Sequence, residues 1–395
     1  MFIHTQRMGI NMPKKSIAVE LNPEVLKWLR ESYGWKIEEV SRRLRTTSEI
    51  ILEFESGKRS PTLSQLTILS ELYKRPLASF FLSKPKEEKP LPIDYRFLPN
   101  RAGIFDKKTM LAIRRARNLQ SIGKELSQNI RYETATKARK AELTDNPEII
   151  ASEYRGIFDL SFEKQRKLRD AYKLFGYLRD IFEDSNVLVF QFSMPIEDAR
   201  GFALADDLPS IVVINSKDSI EARLFTLMHE FGHILLGETV IDIPDESLAD
   251  RDSIERWCNK FASSFLLPKE PVIDLFKEYL GKLTDTDTLN SLSRKYKVSK
   301  ALLLVKMLEL NYISRPEFEN VMSRYAPKEA KKKTDEKKKM IGVTSDQRCL
   351  SEVGNKFVSL VANNFDKDFI TYSDALSYLS IKSKNFDKVL AKARK

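Results

Sequence analysis

The chain has 395 residues, of which 42% are hydrophobic, and it carries a net charge of +11 at neutral pH. This hydrophobic content excludes a chain that is disordered throughout, and no apolar run reaches the roughly 18 residues of a membrane span. Only two cysteines are present, Cys258 and Cys349, which excludes a disulfide framework. We therefore expect a cytoplasmic protein with no membrane contact, and the positive charge suggests a nucleic-acid partner.

The positive charge is unevenly distributed along the chain. Residues 146–326 contain 23 basic and 30 acidic side chains, so this region has a net charge of −7 and the remainder carries +18. Within that region, residues 184–255 alone have a net charge of −11. The C-terminal excess includes the lysine-rich run at 328–339, and such runs are more typical of solvated segments than of nucleic-acid patches.

The pattern of residues 22–82 predicts a compact bundle of short helices. Pro23 suits a first helical turn, Gly57 ends the third helix, and Ser60-Pro61-Thr62 begins the fourth. The proline- and charge-rich residues 83–105 then predict a linker to the next domain.

Residues 106–326 predict a domain in which helices outnumber strands, so the fold class is α+β and mainly helical. A long helix and a further helical stretch are expected first, at about 107–131 and 147–183. Strands are expected at Val187–Phe192, Gly201–Leu204 and Ser210–Ile214, followed by helices at about 219–236 and 254–267. Beyond this domain the sequence predicts a lysine-rich tether, residues 327–345, and a small helical tail, residues 346–395.

The most informative segment is His229-Glu230-Phe231-Gly232-His233, in which two histidines are four residues apart. On a helix this spacing places both imidazoles on one face, so both can bind the same metal ion. Glu230 directly follows His229, so its carboxylate would lie beside the metal ion and could accept a proton from water. The alternative is a pair of core histidines that share a helix face by chance.

A third ligand is available on the next predicted helix. Glu255 follows His233 by 22 residues, and Asn259 lies one helical turn later. Glu255 can supply a carboxylate oxygen, while Asn259 can hydrogen-bond a ligand and hold it in place. Alone, Glu255 would be read as a solvated helix carboxylate, but together the two motifs favour a metal site.

These motifs resemble those of the ImmA/IrrE family of zincin-type metallo-endopeptidases. The resemblance is carried by Phe225-Thr226-Leu-Met-His229-Glu230-Phe-Gly232-His233, by Glu255-x-x-x-Asn259-x-Phe261-Ala262 and by the strand Ile211-Val-Val-Ile-Asn215. It implies that His229, His233 and Glu255 bind Zn²⁺ and that Glu230 is the general base of peptide hydrolysis.

The resemblance also implies a small sheet packed on these helices, in which Ser210–Ile214 would be the edge that an extended peptide joins. Tyr296, Tyr312 and Arg223 are candidates for stabilising the oxyanion, and the sequence does not choose between them. Gly232 either leaves room for a substrate backbone or packs closely against another helix.

Residues 24–82 resemble a helix-turn-helix domain of the Cro/C1 (XRE) repressor type, through Glu53-Phe-Glu55-Ser-Gly57-Lys58-Arg59-Ser-Pro61-Thr62. In such domains the third helix enters the major groove, where Arg, Lys, Asn or Gln read the bases. Here that helix, residues 47–55, has three carboxylates and no basic residue. Flanking basic side chains could still contact DNA phosphates, namely Arg42, Arg43, Arg45, Lys58 and Arg59.

Together these features predict a zinc endopeptidase that cleaves a regulatory protein, and the resemblance implies a repressor or an antitoxin as the substrate. The alternative is an XRE-type transcriptional regulator, or a component of a toxin–antitoxin pair, whose metal site is structural or sensory. In the toxin–antitoxin case the N-terminal bundle would bind a protein instead of DNA.

Overall fold

The computed structural model describes residues 18–85, 106–131, 140–237, 248–325 and 344–393, except residues 33, 74, 76 and 197 and the side chains of 248–252. Of these, the residues up to 111 form one compact unit and those from 112 onward form another. Most of the predicted linker and of the predicted tether lies outside the described residues. Within the described residues, no helix has the length and apolar character that a membrane span requires.

The first unit is a bundle of four α-helices followed by a short 3-10 helix, which confirms the predicted bundle. The helices are α1 (Pro23–Ser32), α2 (Ile37–Leu44), α3 (Ser48–Glu55) and α4 (Leu63–Tyr73). Their apolar faces meet in a single core. Arg30 of α1 donates from Nε to Glu55 Oε1 at 2.6 Å, so this buried pair ties α1 to the end of α3.

The second unit is mainly helical and contains all three predicted strands, which confirms the predicted α+β class. The strands are β1 (Val187–Phe192), β2 (Gly201–Leu204) and β3 (Ser210–Asn215). The helices before them are α5 (Lys107–Asn129), which belongs to this unit from residue 112 onward, α6 (Pro147–Ile157), α7 (Phe162–Lys167) and α8 (Ala171–Asp184). Those after them are α9 (Ile220–Leu236), α10 (Leu248–Leu266), α11 (Lys269–Glu278), α12 (Thr286–Tyr296), α13 (Lys300–Glu309), α14 (Arg315–Tyr325), α15 (Ser345–Asp366), α16 (Tyr372–Leu379) and α17 (Phe386–Ala393).

The helical stretch predicted at 147–183 is divided into three helices, because polar residues cap each new start. The side chains of Asn146, Ser161 and Asp170 each accept a hydrogen bond from a backbone N–H in the first turn of α6, α7 and α8. Such caps satisfy N–H groups that have no partner within the helix, so each cap fixes a helix start.

The sheet is covered by helices on both faces. Alternate residues of a strand point to opposite faces, so Val189 and Val212 join the core that contains α8, α9 and α10. Phe190 and Val213 join a second core, formed with α5 and α15–α17. Both faces are therefore apolar, which explains why the strands read as continuous apolar runs without polar alternation.

The strand order corrects the prediction that Ser210–Ile214 forms the edge of the sheet. The order is β1-β3-β2, with β1 parallel and β2 antiparallel to β3. Strand β3 is therefore central, and both of its edges are hydrogen-bonded. The connection from β1 to β2 crosses the end of β3, where the buried Asn215 donates to the carbonyls of Met194 and Ala199. No described strand pairs with the outer edge of β2.

The C-terminal helices, predicted as a small tail, pack on the sheet. Helix α15 is broken at Gly354, which has a positive φ of 82°. The buried carboxylate of Glu183 on α8 accepts the backbone N–H of Lys356 at 2.9 Å, and Arg179 donates to the carbonyl of Ser351 at 2.9 Å. A side chain at 354 would meet Glu183 Oε1 at 1.9 Å, so the glycine allows this close approach.

Candidate metal centre

Helix α9 carries the histidine motif through a core of the second unit. Its start is capped by Ser219, whose Oγ accepts the Ala222 N–H at 3.2 Å, and it ends at Gly237 in the left-handed conformation. Nearly every residue from position 224 to 235 is buried, which explains the apolar sequence around the motif. His229 and His233 therefore emerge from a rigid, buried helix.

The three predicted metal ligands lie together. His229 Nε2 and His233 Nε2 are 3.1 Å apart, and each is 3.3 Å from a different carboxylate oxygen of Glu255. The histidines belong to α9 and Glu255 to α10. All three potential ligand atoms lie within 4.8 Å of one another.

The size of this triangle fits a tetrahedral metal ion. Metal–ligand distances of about 2.0–2.1 Å at tetrahedral angles place neighbouring ligand atoms about 3.3 Å apart. The observed separations are 3.1 and 3.3 Å. Two imidazoles and one carboxylate are also a donor set of catalytic zinc sites, which keep one further position open. His229, His233 and Glu255 could therefore hold a zinc ion.

Two neighbours on α10 orient the histidine rings. Asn259 Oδ1 lies 3.1 Å from Nδ1 of His229. An Nδ1 proton donated to this oxygen leaves the Nε2 lone pair directed towards the triangle, which is the tautomer that a metal ligand needs. Cys258, one residue earlier on α10, also interacts with the ring of His233.

The electrostatics of the centre favour positive charge. Burial raises the pKa of the Glu255 carboxyl, but hydrogen bonds and charge from His229 and His233 outweigh burial and hold that pKa well below its usual range. Burial lowers the pKa of His233, and its contacts with Cys258, Glu255 and Glu230 outweigh burial and raise that pKa well above its usual value. The centre thus favours an anionic carboxylate beside a positive charge, as a bound cation requires.

Glu230 is buried and lies on the sheet side of the centre. A Cβ added to Gly201, at the start of β2, would be 3.2 Å from Glu230 Oε1 and 2.7 Å from the Val213 carbonyl. The glycine therefore lets β2 approach α9 next to this carboxylate. Sequence reasoning missed Gly201, although a glycine in a strand often marks such a close approach.

Gly232 is explained by helix packing. A Cβ at this position would meet Cys258 of α10 at 3.1 Å from Sγ and 3.3 Å from Cα. Of the two predicted roles, room for a substrate backbone and close packing, the structure supports packing. This contact brings α9 near enough to α10 for Glu255 to reach both histidines.

The three candidates for stabilising the oxyanion contact residues outside the metal centre. Arg223 donates from Nε to the carbonyl of Asp218 at 2.9 Å. Tyr312 donates to the carbonyl of Ile273 at 3.2 Å, and Tyr296 stacks on Phe162 with ring centroids 4.5 Å apart. These contacts support none of the three as the oxyanion donor.

The predicted phosphate contacts of the first unit lie on its surface. Five basic residues that precede or follow α3 in the chain are exposed: Arg42, Arg43, Arg45, Lys58 and Arg59. Arg59 is 3.8 Å from Glu53 of α3 in an exposed ion pair. Helix α3 itself presents Glu49, Leu52 and Glu53 on its more accessible side. Its accessible surface is thus acidic and apolar, and the basic residues surround it.

Comparison with known families assigns a type to each unit. Residues 182–308 match the family model of the IrrE N-terminal-like domain, peptidase family M78, and residues 26–80 match that of a helix-turn-helix domain. The chain thus combines an XRE-type helix-turn-helix domain with an IrrE/ImmA-like peptidase domain, as its sequence motifs predicted. Family M78 consists of metallopeptidases, and its match spans β1–β3 together with His229, His233 and Glu255. A search of curated proteins finds no match to the chain.

Proposed function

We propose that this chain is a zinc-dependent endopeptidase that cleaves a regulatory protein, and that the substrate is a repressor or an antitoxin. The observation that carries this proposal is the triangle of His229, His233 and Glu255, with sides of 3.1 and 3.3 Å. Glu230, the residue after His229, is buried, and its charge acts on His233. The match to peptidase family M78 adds the reaction class.

In the proposed mechanism, His229, His233 and Glu255 hold the zinc ion and Asn259 fixes the ring of His229. When bound, zinc supplies Lewis-acid chemistry, because it lowers the pKa of water and polarises a carbonyl. Glu230 accepts the proton of the attacking water and returns it to the leaving amine as the peptide bond breaks. Because Glu230 is buried, this carboxylate acts in a setting where electrostatic effects are strong.

The peptide is proposed to lie along β2. An extended segment can join a sheet through backbone hydrogen bonds only at an unpaired edge, and β3 has none. Strand β2 offers such an edge among the described strands, and Gly201 at its start lies next to Glu230. A substrate strand on this edge would carry its backbone past the general base.

The charge around the centre favours a basic substrate. Residues 184–255 have a net charge of −11, and they include the metal ligands and all three strands. DNA-binding proteins carry the opposite charge, so a repressor or antitoxin would be attracted to this region. The helix-turn-helix domain agrees with a role in gene regulation.

The test uses the full-length protein and the repressor or antitoxin encoded nearest to it. The wild type with zinc is expected to cleave that protein, while Glu230→Gln keeps zinc and cleaves at least about 100-fold more slowly because it lacks the base. Equal cleavage by the two proteins, at equal zinc content, would remove Glu230 from the mechanism.

The second candidate is a transcriptional regulator, favoured by the helix-turn-helix match. In that case the metal centre would be structural or sensory, and operator binding would change when a chelator removes the metal. A gel-shift assay with the upstream DNA of its own gene, with and without chelator, separates the candidates. The acidic surface of α3 disfavours base reading, so we expect weak binding that falls steeply with salt.

A further inference from the structure

A groove of about 460 Å³ opens between α9, α10 and α13. Its walls are largely apolar and come from Phe225 of α9 and from Ala301, Leu302 and Val305 of α13. Asn259 and Ser263 of α10 also line it. This volume lies within the range of about 300–1,000 Å³ that is typical of ligand sites, and it exceeds that of any single side chain.

The groove lies near the metal centre, and Asn259 connects the two. Asn259 lines the groove and also contacts Nδ1 of His229 at 3.1 Å. The ring of Phe225 lies one helical turn before His229, with ring centroids 6.3 Å apart. Along α10, Glu255, Asn259 and Ser263 follow one another at four-residue spacing, so the groove begins one turn from a proposed ligand.

Of the charged residues that line the groove, Lys260 and Glu309 are paired, and Arg256 is an additional basic residue there. Lys260 Nζ is 2.7 Å from Glu148 and 3.4 Å from Glu309, and Lys306 Nζ is 3.3 Å from the same Glu309 carboxylate. Two lysines thus share two carboxylates. A charged guest would have to compete with these pairs, whereas an apolar guest would leave them intact.

The interior of the groove has two features expected of a binding site. Helix α13 exposes Ala301 and Val305 towards it, and Val305 is 37% exposed although it is a large apolar residue. The hydroxyl of Ser263 is buried and has no hydrogen-bond partner among the described residues. Both features leave free energy to be gained when a guest covers the apolar wall and approaches the hydroxyl.

We propose that this groove binds a large apolar side chain of the peptide substrate, next to the bond that is cleaved. The inference rests on the proposed function, since it names the side chain selected by the same centre. Phe225, Ala301, Leu302 and Val305 then determine specificity. Apolar pockets of this kind discriminate between side chains by about 10- to 200-fold, so a preference on the order of 10- to 100-fold over glycine is expected.

The test measures binding, so it does not depend on cleavage. The probes are three peptide hydroxamates that differ in one side chain next to the hydroxamate: hydrogen, isobutyl or indolylmethyl. Each is titrated calorimetrically into the zinc-loaded full chain. Val305→Trp and Ala301→Trp fill the groove from exposed positions, and Leu280→Trp adds the same side chain at a residue that is 70% exposed and does not line the groove.

The wild type and Leu280→Trp are expected to bind the isobutyl and indolylmethyl probes about 10- to 100-fold more tightly than the hydrogen probe. Both groove-filling variants should lose this preference while keeping their zinc content and their affinity for the hydrogen probe. Equal affinities in the wild type, a preference that survives in both variants, or no binding at all would overturn the groove assignment.

The proposed function is scored separately in the same samples. Selective binding without any peptide cleavage by the wild type would support the groove and count against the peptidase. Cleavage of peptides with no side-chain preference would support the peptidase and overturn the groove.

Discussion

Replacing Gly201 by alanine tests how closely β2 approaches the general base. The added methyl group would lie 2.5 Å from Thr226 Cγ2 and 2.7 Å from the Val213 carbonyl oxygen. Ordinary carbon contacts are about 3.5–4.0 Å, so β2 or α9 must shift. The carbonyl cannot move aside easily because β3 is paired on both edges. Overpacking of this kind costs about 1–3 kcal/mol, and the loss of glycine's unfolded-state freedom returns about 0.4–1 kcal/mol.

The net loss for Gly201→Ala is therefore about 1–2 kcal/mol in the free energy of unfolding, or roughly 2–8 °C in the melting temperature. The rate of peptide cleavage should also fall, because a displacement of about 1 Å at a reacting group can reduce the rate on the order of 100-fold. Scanning fluorimetry and a peptide-cleavage assay at equal zinc content measure the two effects.

Thr226→Ser provides the matched partner for this substitution, because it removes the atom nearest to the added methyl. Combining it with Gly201→Ala should cost less than the sum of the single changes, without restoring the wild type, since the Val213 carbonyl still clashes. Wild-type stability and activity in Gly201→Ala would refute the close approach of β2 to Glu230.

Three further predictions concern other contacts. Asn259→Ala should weaken zinc binding by about 10- to 100-fold in a chelator competition, and unchanged affinity would show that Asn259 does not hold His229. Burial raises the pKa of the Cys349 thiol to about 12, so iodoacetamide at pH 8 should label it only on unfolding, and rapid labelling of the native protein would contradict its burial. Arg179→Met leaves Glu183 buried without its ion-pair partner and should cost about 3–5 kcal/mol in thermal unfolding. Arg315→Met breaks an exposed ion pair and should cost less than about 1 kcal/mol. Equal losses of stability in the two variants would show that burial does not set the cost of losing the partner.

The features that could be predicted from the sequence depend on local spacing. Histidines four residues apart share a helix face wherever the helix lies, so His229 and His233 could be paired before any tertiary contact was known. The three strands were also predictable, because short apolar runs were bounded by turn residues. Glu255 required the second motif, because its approach to the histidines depends on the packing of α10 on α9.

The order of the strands could not be predicted, because it depends on non-local pairing. Strands β2 and β3 are neighbours in the chain and pair with each other, but nothing local shows that β1 pairs with the other edge of β3. The close approaches at Gly201 and Gly232 were hidden for the same reason. Each glycine is explained by its contact with another element of the fold: Gly201 approaches Val213 of β3 and Thr226 of α9, and Gly232 approaches Cys258 of α10.

The helices of residues 344–393 show a similar limit. Their apolar faces predicted helices, but the surface that they cover belongs to strands more than 100 residues earlier in the chain. Arg179 and Glu183 of α8 hydrogen-bond to the backbone of α15, and the positive φ of Gly354 allows their close approach. The burial of this ion pair could not be predicted from the sequence, because it depends on how α15 packs against α8.

The most direct test of the central claim is the cleavage of a random peptide mixture as zinc is titrated into the metal-free full chain. New peptide termini, counted by mass spectrometry, should rise until one zinc per chain is bound, and His229→Ala should form none. Glu230→Gln should bind the same single zinc and cleave at least about 100-fold more slowly. Cleavage that is independent of zinc, or a Glu230→Gln variant as fast as the wild type, would contradict a zinc-dependent centre with Glu230 as its base.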